Sequence, residues 1–210
     1  MQLLGKLVIK SKEKIVNFLN EEKTGRIGSI DENGYPQIIP MNFVFTNNAI
    51  YMHSHIRGEK LDNIKRDSKV GFEVDKNLEF LPSYFFDAED ASLADTLYIS
   101  VIIKGEASVI NENEEKVLAL NALMKKYQPE GKYSPMNEDM EVLDAVAVIK
   151  IVPKEMNGKY KIGQNMSKKE RVELAQNILE KNSKTARETL EVMGFGVEDG
   201  KAVIKTNEEW

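Results

Sequence analysis

Both histidines of this chain fall in one short run, His53-Ser54-His55-Ile56-Arg57-Gly58-Glu59-Lys60. Imidazole takes and gives protons near neutral pH, which makes His53 and His55 candidate catalytic residues, and a His-x-His pair on a strand can chelate zinc. No cysteine and no third histidine exists to complete a zinc site, which leaves only carboxylates such as Glu59 or Glu73, so no metal is expected. The other members of the run point to a different ligand. Ser54, Arg57, Gly58 and Lys60 bring a hydroxyl, a guanidinium, flexible backbone and an ammonium together where a strand passes into a helix. Those groups hold a phosphate monoester, and the unpaired amides of a helix start favour the same anion. The spacing is not that of a Walker loop, and no G-x-G-x-x-G follows a strand, so nucleoside triphosphate and Rossmann readings fail.

The elements that must position this run extend from Gly25 to Asp75. Three strand-like segments are separated by Asp31-Glu32-Asn33-Gly34 and Thr46-Asn47-Asn48 turns, and a short helix and a fourth strand follow. In the third strand, Ala49 to Ser54, the period of two places Tyr51 and His53 on one face, with His55 next in line. The second strand, Gln37 to Phe45, is apolar on both faces and reads as buried on both sides, as in a closed barrel. Pro40 interrupts it. Proline donates no ladder bond, so either the pairing is broken there, by a bulge or by a cofactor edge meeting Met41 and Asn42, or this is an edge strand guarded against aggregation. In the first strand Gly28 and Ser29 leave little bulk, either for the approach of a flat ligand or as a simple strand glycine.

The rest of the chain reads as support. Ser11 caps a helix through about Glu22, stopped by Gly25. Lys76 to Asp95 is irregular, and its Phe80, Tyr84, Phe85 and Phe86 fit a lid, a dimer contact or a loop pinned to the core. A strand from Leu97 to Ile110, broken by Gly105, leads to a helix that starts with a capping box of Asn111 and Glu114. The last barrel strand, Ala145 to Val152, ends at Pro153, with a tight turn at Asn157-Gly158. Ser167 and Glu170 form a second capping box, and two helices run to Met193, ended by Gly194. The tail through Lys201-Ala202-Val203-Ile204-Lys205 to Trp210 adds a strand or stays mobile.

Composition bounds the function. With 210 residues, 41% hydrophobic and 30% charged, the chain can bury one good core. A net charge of -5 gives no general attraction to nucleic acid or anionic lipid. The absence of cysteine excludes disulfides and thiol nucleophiles and fits a reducing cytosol. No apolar run approaches the roughly 20 residues of a membrane span, and the N-terminus carries its charge after its apolar patch, unlike a signal peptide, so a cytoplasmic protein is expected.

The series GRIGSI, GYPQIIPMNFVF, IYMHSHIRGEKLDNI and KVGFEVD resembles the FMN-binding split-barrel superfamily of pyridoxamine 5'-phosphate oxidase, most of all its nitroimidazole-reductase-like (Nim) branch, over roughly Asn20 to Lys150. The resemblance implies an α+β protein with a six-stranded antiparallel split barrel (residues 1–165), here followed by a helical hairpin and tail (166–210). It also implies a homodimer with one FMN in each of two clefts between subunits. Carried over by residue, Pro40, Met41, Asn42 and Phe43 would line the isoalloxazine, His53 and Ser54 would lie near the ribityl phosphate, and Lys60 with the helix-start amides at Gly58 would bind it. Arg57 would compensate from the preceding turn for one departure, since Gly58-Glu59-Lys60 stands where such proteins commonly show Gly-Arg-Lys. In the family's Tyr-x-Ser-Val pattern Tyr98, Ser100 and Val101 match, so Ser100 is a further flavin contact. Gln164 and Asn165 match a Lys-x-x-Gln-Asn segment of related FMN proteins, including PaiB-type regulators.

The function so implied is an FMN-dependent oxidoreductase that uses NAD(P)H to reduce a small nitroaromatic or quinone-like acceptor. The alternatives are a non-catalytic flavin carrier, a PaiB-like regulator and a haem-binding barrel. Pyridoxamine phosphate oxidation is disfavoured, because Thr206-Asn207-Glu208-Glu209-Trp210 is acidic where that oxidase carries basic substrate contacts.

Overall fold

The computed structural model describes residues 5–206. The chain divides into two compact units, one of residues 12–74 and 101–157 and the other, among the described residues, of 5–11, 75–100 and 158–206. The last four residues of the acidic end, 207–210, lie outside the described part.

The first unit opens with α1 (Lys12–Glu21), whose Ile15, Phe18 and Leu19 recur at helical spacing and are buried. Then come β1 (Thr24–Ile30), β2 (Pro36–Asn42), β3 (Val44–Thr46), β4 (Ala49–His55), α2 (Glu59–Arg66), and parts of β5 (Lys69–Leu81), β6 (Asp95–Ile110) and β7 (Val146–Lys161), with α3 (Asn113–Tyr127) between the last two. The strands form one sheet in the order β2-β1-β5-β6-β7-β4-β3, so an α+β chain with a large antiparallel sheet results. It has seven strands, not the expected six.

The extra strand has a local cause. The segment expected to be one strand from Gln37 to Phe45 breaks at Phe43 into β2 and β3, which lie at opposite edges of the sheet. Phe43 leaves the ladder because Tyr127, at the end of α3, takes its backbone: the Phe43 N–H donates to the Tyr127 hydroxyl at 2.8 Å, and that hydroxyl lies 3.1 Å from the Phe43 carbonyl. The Phe43 ring is fully buried, edge-on to Phe72 at 5.2 Å. Expectation fails for β2 itself. It is not buried on both sides: its residues alternate half-buried and exposed, and Ile38 is 65% exposed. Pro40 pairs with Arg26 on an edge strand, where its missing N–H breaks no outer ladder.

Other local signals were overridden by packing. Gly25 does not end α1 but lies inside β1, where a Cβ would come within 2.1 Å of the Phe72 ring. Gly105 does not break β6; a Cβ there would meet Ile151 Cγ2 and the Val152 carbonyl at 2.7 Å. β7 runs through Pro153 and Asn157-Gly158, flanked by Lys104–Glu155 and Lys154–Glu106 ion pairs at 3.1 Å. The Asn111–Glu114 box does not form, since the N-cap of α3 is Glu112, without a side-chain cap bond.

The second unit contains the remaining parts of β5, β6 and β7, then α4 (Lys168–Lys181), α5 (Ala186–Val192) and a hairpin of β8 (Phe195–Glu198) and β9 (Lys201–Ile204). Ser167 and Glu170 make the expected reciprocal capping box, and Gly194, at φ +82°, ends the helical pair. Because β5 extends to Leu81, the irregular stretch is shorter than expected, and Phe80, Tyr84 and Phe86 are exposed, not pinned in a core. The buried Glu79 carboxylate accepts from Lys181 at 2.8 Å, from Thr185 at 3.0 Å and from Ser183. Burial alone would raise its pKa, but these three donors outweigh it and hold the carboxyl below its ordinary value. No helix among the described residues is long and apolar enough to cross a membrane.

Candidate functional site

The site is built where β4 runs out from under α3. Tyr51, at the covered end of the face, is buried and donates its hydroxyl to Glu115 of α3 at 2.7 Å; Lys150 of β7 donates to the same oxygen at 2.6 Å. Burial, then the hydrogen bond to Glu115 and its charge, push the Tyr51 hydroxyl pKa up, while the donors Lys150 and Tyr51 hold Glu115 below the usual carboxylate value. His53 and His55 continue that face and are exposed, with Ser54 half-buried between them. Antiparallel pairing with β7, His53 opposite Val148 and His55 opposite Val146, fixes their height along the sheet.

The turn after β4 is shaped around an acceptor. The Arg57 backbone N–H donates to His55 Nδ1 at 3.1 Å, so the neutral imidazole carries its proton on Nε2. Ser54 Oγ donates to the His55 carbonyl at 3.0 Å. Gly58 then caps α2 at φ 148° and ψ 149°, a conformation that favours glycine, with no side-chain cap and nothing within 4 Å of where a Cβ would stand. The Leu61 N–H already donates to the Gly58 carbonyl at 2.9 Å, which leaves the Glu59 and Lys60 amides without an intrahelical partner next to Arg57. Among the described residues neither Arg57 nor Lys60 forms an ion pair.

The seat of α2 is held by residues that sequence reasoning missed. Asn63, buried on α2, donates to Ser29 of β1 and to Gln37 of β2, both at 3.3 Å, and accepts from Arg66 at 3.0 Å. An asparagine on the inner face of a short helix was the available signal, because a buried amide must find partners. On β2, which touches β4, Pro40 and Asn42 are exposed and Met41 is half-buried. A shallow concavity of about 290 Å³ lies over β1 and β5, lined by Gly28 and Gly71, which face each other across the two strands, and by Ile38, Phe72 and Ile102; Pro40, Met41 and Asn42 are not among its lining residues.

Thus the first unit brings Pro40, Met41, Asn42, His53, Ser54, Arg57, Gly58 and Lys60 onto neighbouring elements. Phe43 stands apart, its ring enclosed and Lys126 Nζ 3.8 Å from its centre. Ser100, Gln164 and Asn165 belong to the other unit: Ser100 is half-buried on β6, Asn165 is exposed, and Gln164 uses both ends of its amide on its own turn, through the Ile162 N–H and the Tyr160 carbonyl.

Comparison with known proteins agrees with this architecture. Among solved structures, a candidate 5-nitroimidazole antibiotic resistance protein from Bacteroides thetaiotaomicron superposes with a TM-score of 0.62 at 24% identity, over 73% of this chain and 86% of that one. The flavocytochrome Anf3 from Azotobacter vinelandii gives 0.65 at 17% identity, over 77% and 72%. An FAD and haem binding protein from Mycobacterium smegmatis gives 0.62 at 14% identity, over 73% of each chain. No curated protein matches. The family model for pyridoxamine 5'-phosphate oxidase matches residues 11–160, and with the split-barrel fold shared by these structures it identifies the chain as a member of the pyridoxamine 5'-phosphate oxidase family.

Proposed function

We propose that this chain binds FMN at the start of α2 and works as a cytoplasmic, homodimeric oxidoreductase that passes electrons from NAD(P)H to a small nitroaromatic or quinone-like acceptor. The observation that carries the reading is the uncapped start of α2 at Gly58, with Arg57 and Lys60 beside it. The residues fit the group. Two cations, helix-start amides and a glycine with open space above it suit a phosphate, and Gly58 is the position where a side chain would stand in its way. Family membership and the flavoproteins among the structural relatives support the same cofactor.

Once bound, the flavin supplies the redox chemistry, and the protein binds, orients and protonates. Arg57 and Lys60 would neutralise its phosphate. Pro40, Met41 and Asn42, on an edge strand, would offer backbone and side-chain groups to a polar ring edge. His55, its Nδ1 engaged by the Arg57 N–H, presents Nε2–H as a proton donor, and His53 on the same face is a second. Titration of the purified protein with FMN should show uptake at micromolar concentration and then NADH oxidation accelerated by a nitroaromatic. Absence of uptake would end this reading.

Haem is the second reading, favoured by the two relatives described as a flavocytochrome and as an FAD and haem binding protein and by the exposed His53. A Soret band in the purified protein, lost in His53→Ala, would select it.

A further inference from the structure

The second unit contains a cavity that the flavin reading does not use. It has a volume of about 190 Å³ and lies between the start of α4 and the β8–β9 hairpin, where Met166, Met193, Phe195 and Ile204 supply apolar side chains, Gln164 and Thr206 neutral polar ones, and Arg171 and Lys168 two cations. No acidic residue lines it among the described residues, in a chain whose net charge is -5. Arg171 is the unusual member. Its guanidinium stacks on the Phe195 ring at 5.7 Å, and Nη2 donates to the Met193 carbonyl at 2.7 Å, where α5 ends. Nε is sealed from solvent and finds no acceptor. Among the described residues no carboxylate pairs with Arg171 or Lys168, so the protein covers a charge without answering it.

A half-buried guanidinium normally has a counter-charge, because desolvation penalises the ion far more than a neutral group. We propose that this cavity binds a small organic carboxylate with a compact apolar body, of about the size of benzoate, its carboxylate on Arg171 and Lys168 and its body against Phe195 and the two methionines. The planar Arg171 guanidinium beside the Phe195 ring and the Lys168 ammonium together offer a carboxylate two cationic groups. The proposal concerns residues apart from the α2 start and stands or falls without FMN.

Calorimetric titration of the full-length protein with benzoate tests it, with benzamide and inorganic phosphate as controls and FMN present or absent. Benzoate is expected to saturate one site, benzamide to bind at least about tenfold more weakly, and Arg171→Met to weaken benzoate by about tenfold or more. Arg171→Lys, which keeps the charge and loses the planar guanidinium, should fall between. No saturable benzoate binding would overturn the proposal. So would benzamide binding as well as benzoate, a comparison on the unaltered protein that holds even if Arg171→Met does not fold, and so would phosphate binding equally well.

Discussion

The starts of α2 and α4 are two solutions to one problem, the orphaned amides of a first helical turn. At α4 the chain answers itself: Glu170 N–H donates to Ser167 Oγ at 3.3 Å, and Ser167 N–H donates to the Glu170 carboxylate at 2.7 Å. At α2 it does not. Gly58 offers no side chain, and the adjacent cations Arg57 and Lys60 are not spent on ion pairs among the described residues. The difference teaches where the chain keeps its own side chains away from a helix start, since the exposed first turn of α2 is left to solvent or to a ligand. Elsewhere in the second unit Glu79 is answered in the same way, by Lys181, Ser183 and Thr185.

That contrast can be broken by substitution. Lys181→Met should have the largest effect, a loss of about 3 kcal/mol in chemical denaturation, because it leaves the buried Glu79 carboxylate short of its charged partner; FMN affinity should not change. Glu79 adds a pH dependence whose sign follows from its lowered pKa: its contribution is present above its unfolded value of 4.5 and is lost as pH falls through the lower folded value. Denaturation curves between pH 6 and pH 3, with and without Glu79→Gln, would read the difference. Next, Arg57→Ala and Lys60→Ala should each weaken FMN by about tenfold, at roughly 1.5 kcal/mol per charged hydrogen bond, with the melting temperature nearly unmoved. A large loss of stability with unchanged affinity would make them structural residues instead. Ser167→Ala should cost about 1 kcal/mol of stability and nothing in FMN binding, the reverse of the α2 result.

The smallest effect concerns Lys126, whose Nζ donates to the Leu19 carbonyl at 2.8 Å above the Phe43 ring. Burial pushes its pKa down from 10.5 to about 8, although Glu22 pulls the other way. Between those values the unfolded chain binds the extra proton, so this lysine should make stability rise as pH goes from about 8 to 10.5. Lys126→Met should flatten that rise in thermal melts.

What could be read from the sequence follows the range of the forces. The Ser167–Glu170 box was legible because its two partners are three residues apart, and the strand-to-helix run from His53 to Lys60 because the period changes within a few residues. The split at Phe43 was not, since it depends on a hydroxyl 84 residues away. Pro153 and Asn157-Gly158 carry turn signals, yet ion pairs to β6 accompany an unbroken strand there. The alternation of Tyr51, His53 and His55 was visible, but not that Glu115 and Lys150 cover the first and leave the others exposed. Asn63 was passed over because a helical asparagine is usually solvated, and only the fold places Ser29 and Gln37 beside it.

β5, β6 and β7 each begin in one compact unit and end in the other. No single uninterrupted stretch of the gene therefore encodes either unit. A truncated clone would carry severed strands with exposed ladders, and shuffling between homologues would have to exchange several coding segments together to transplant either half intact.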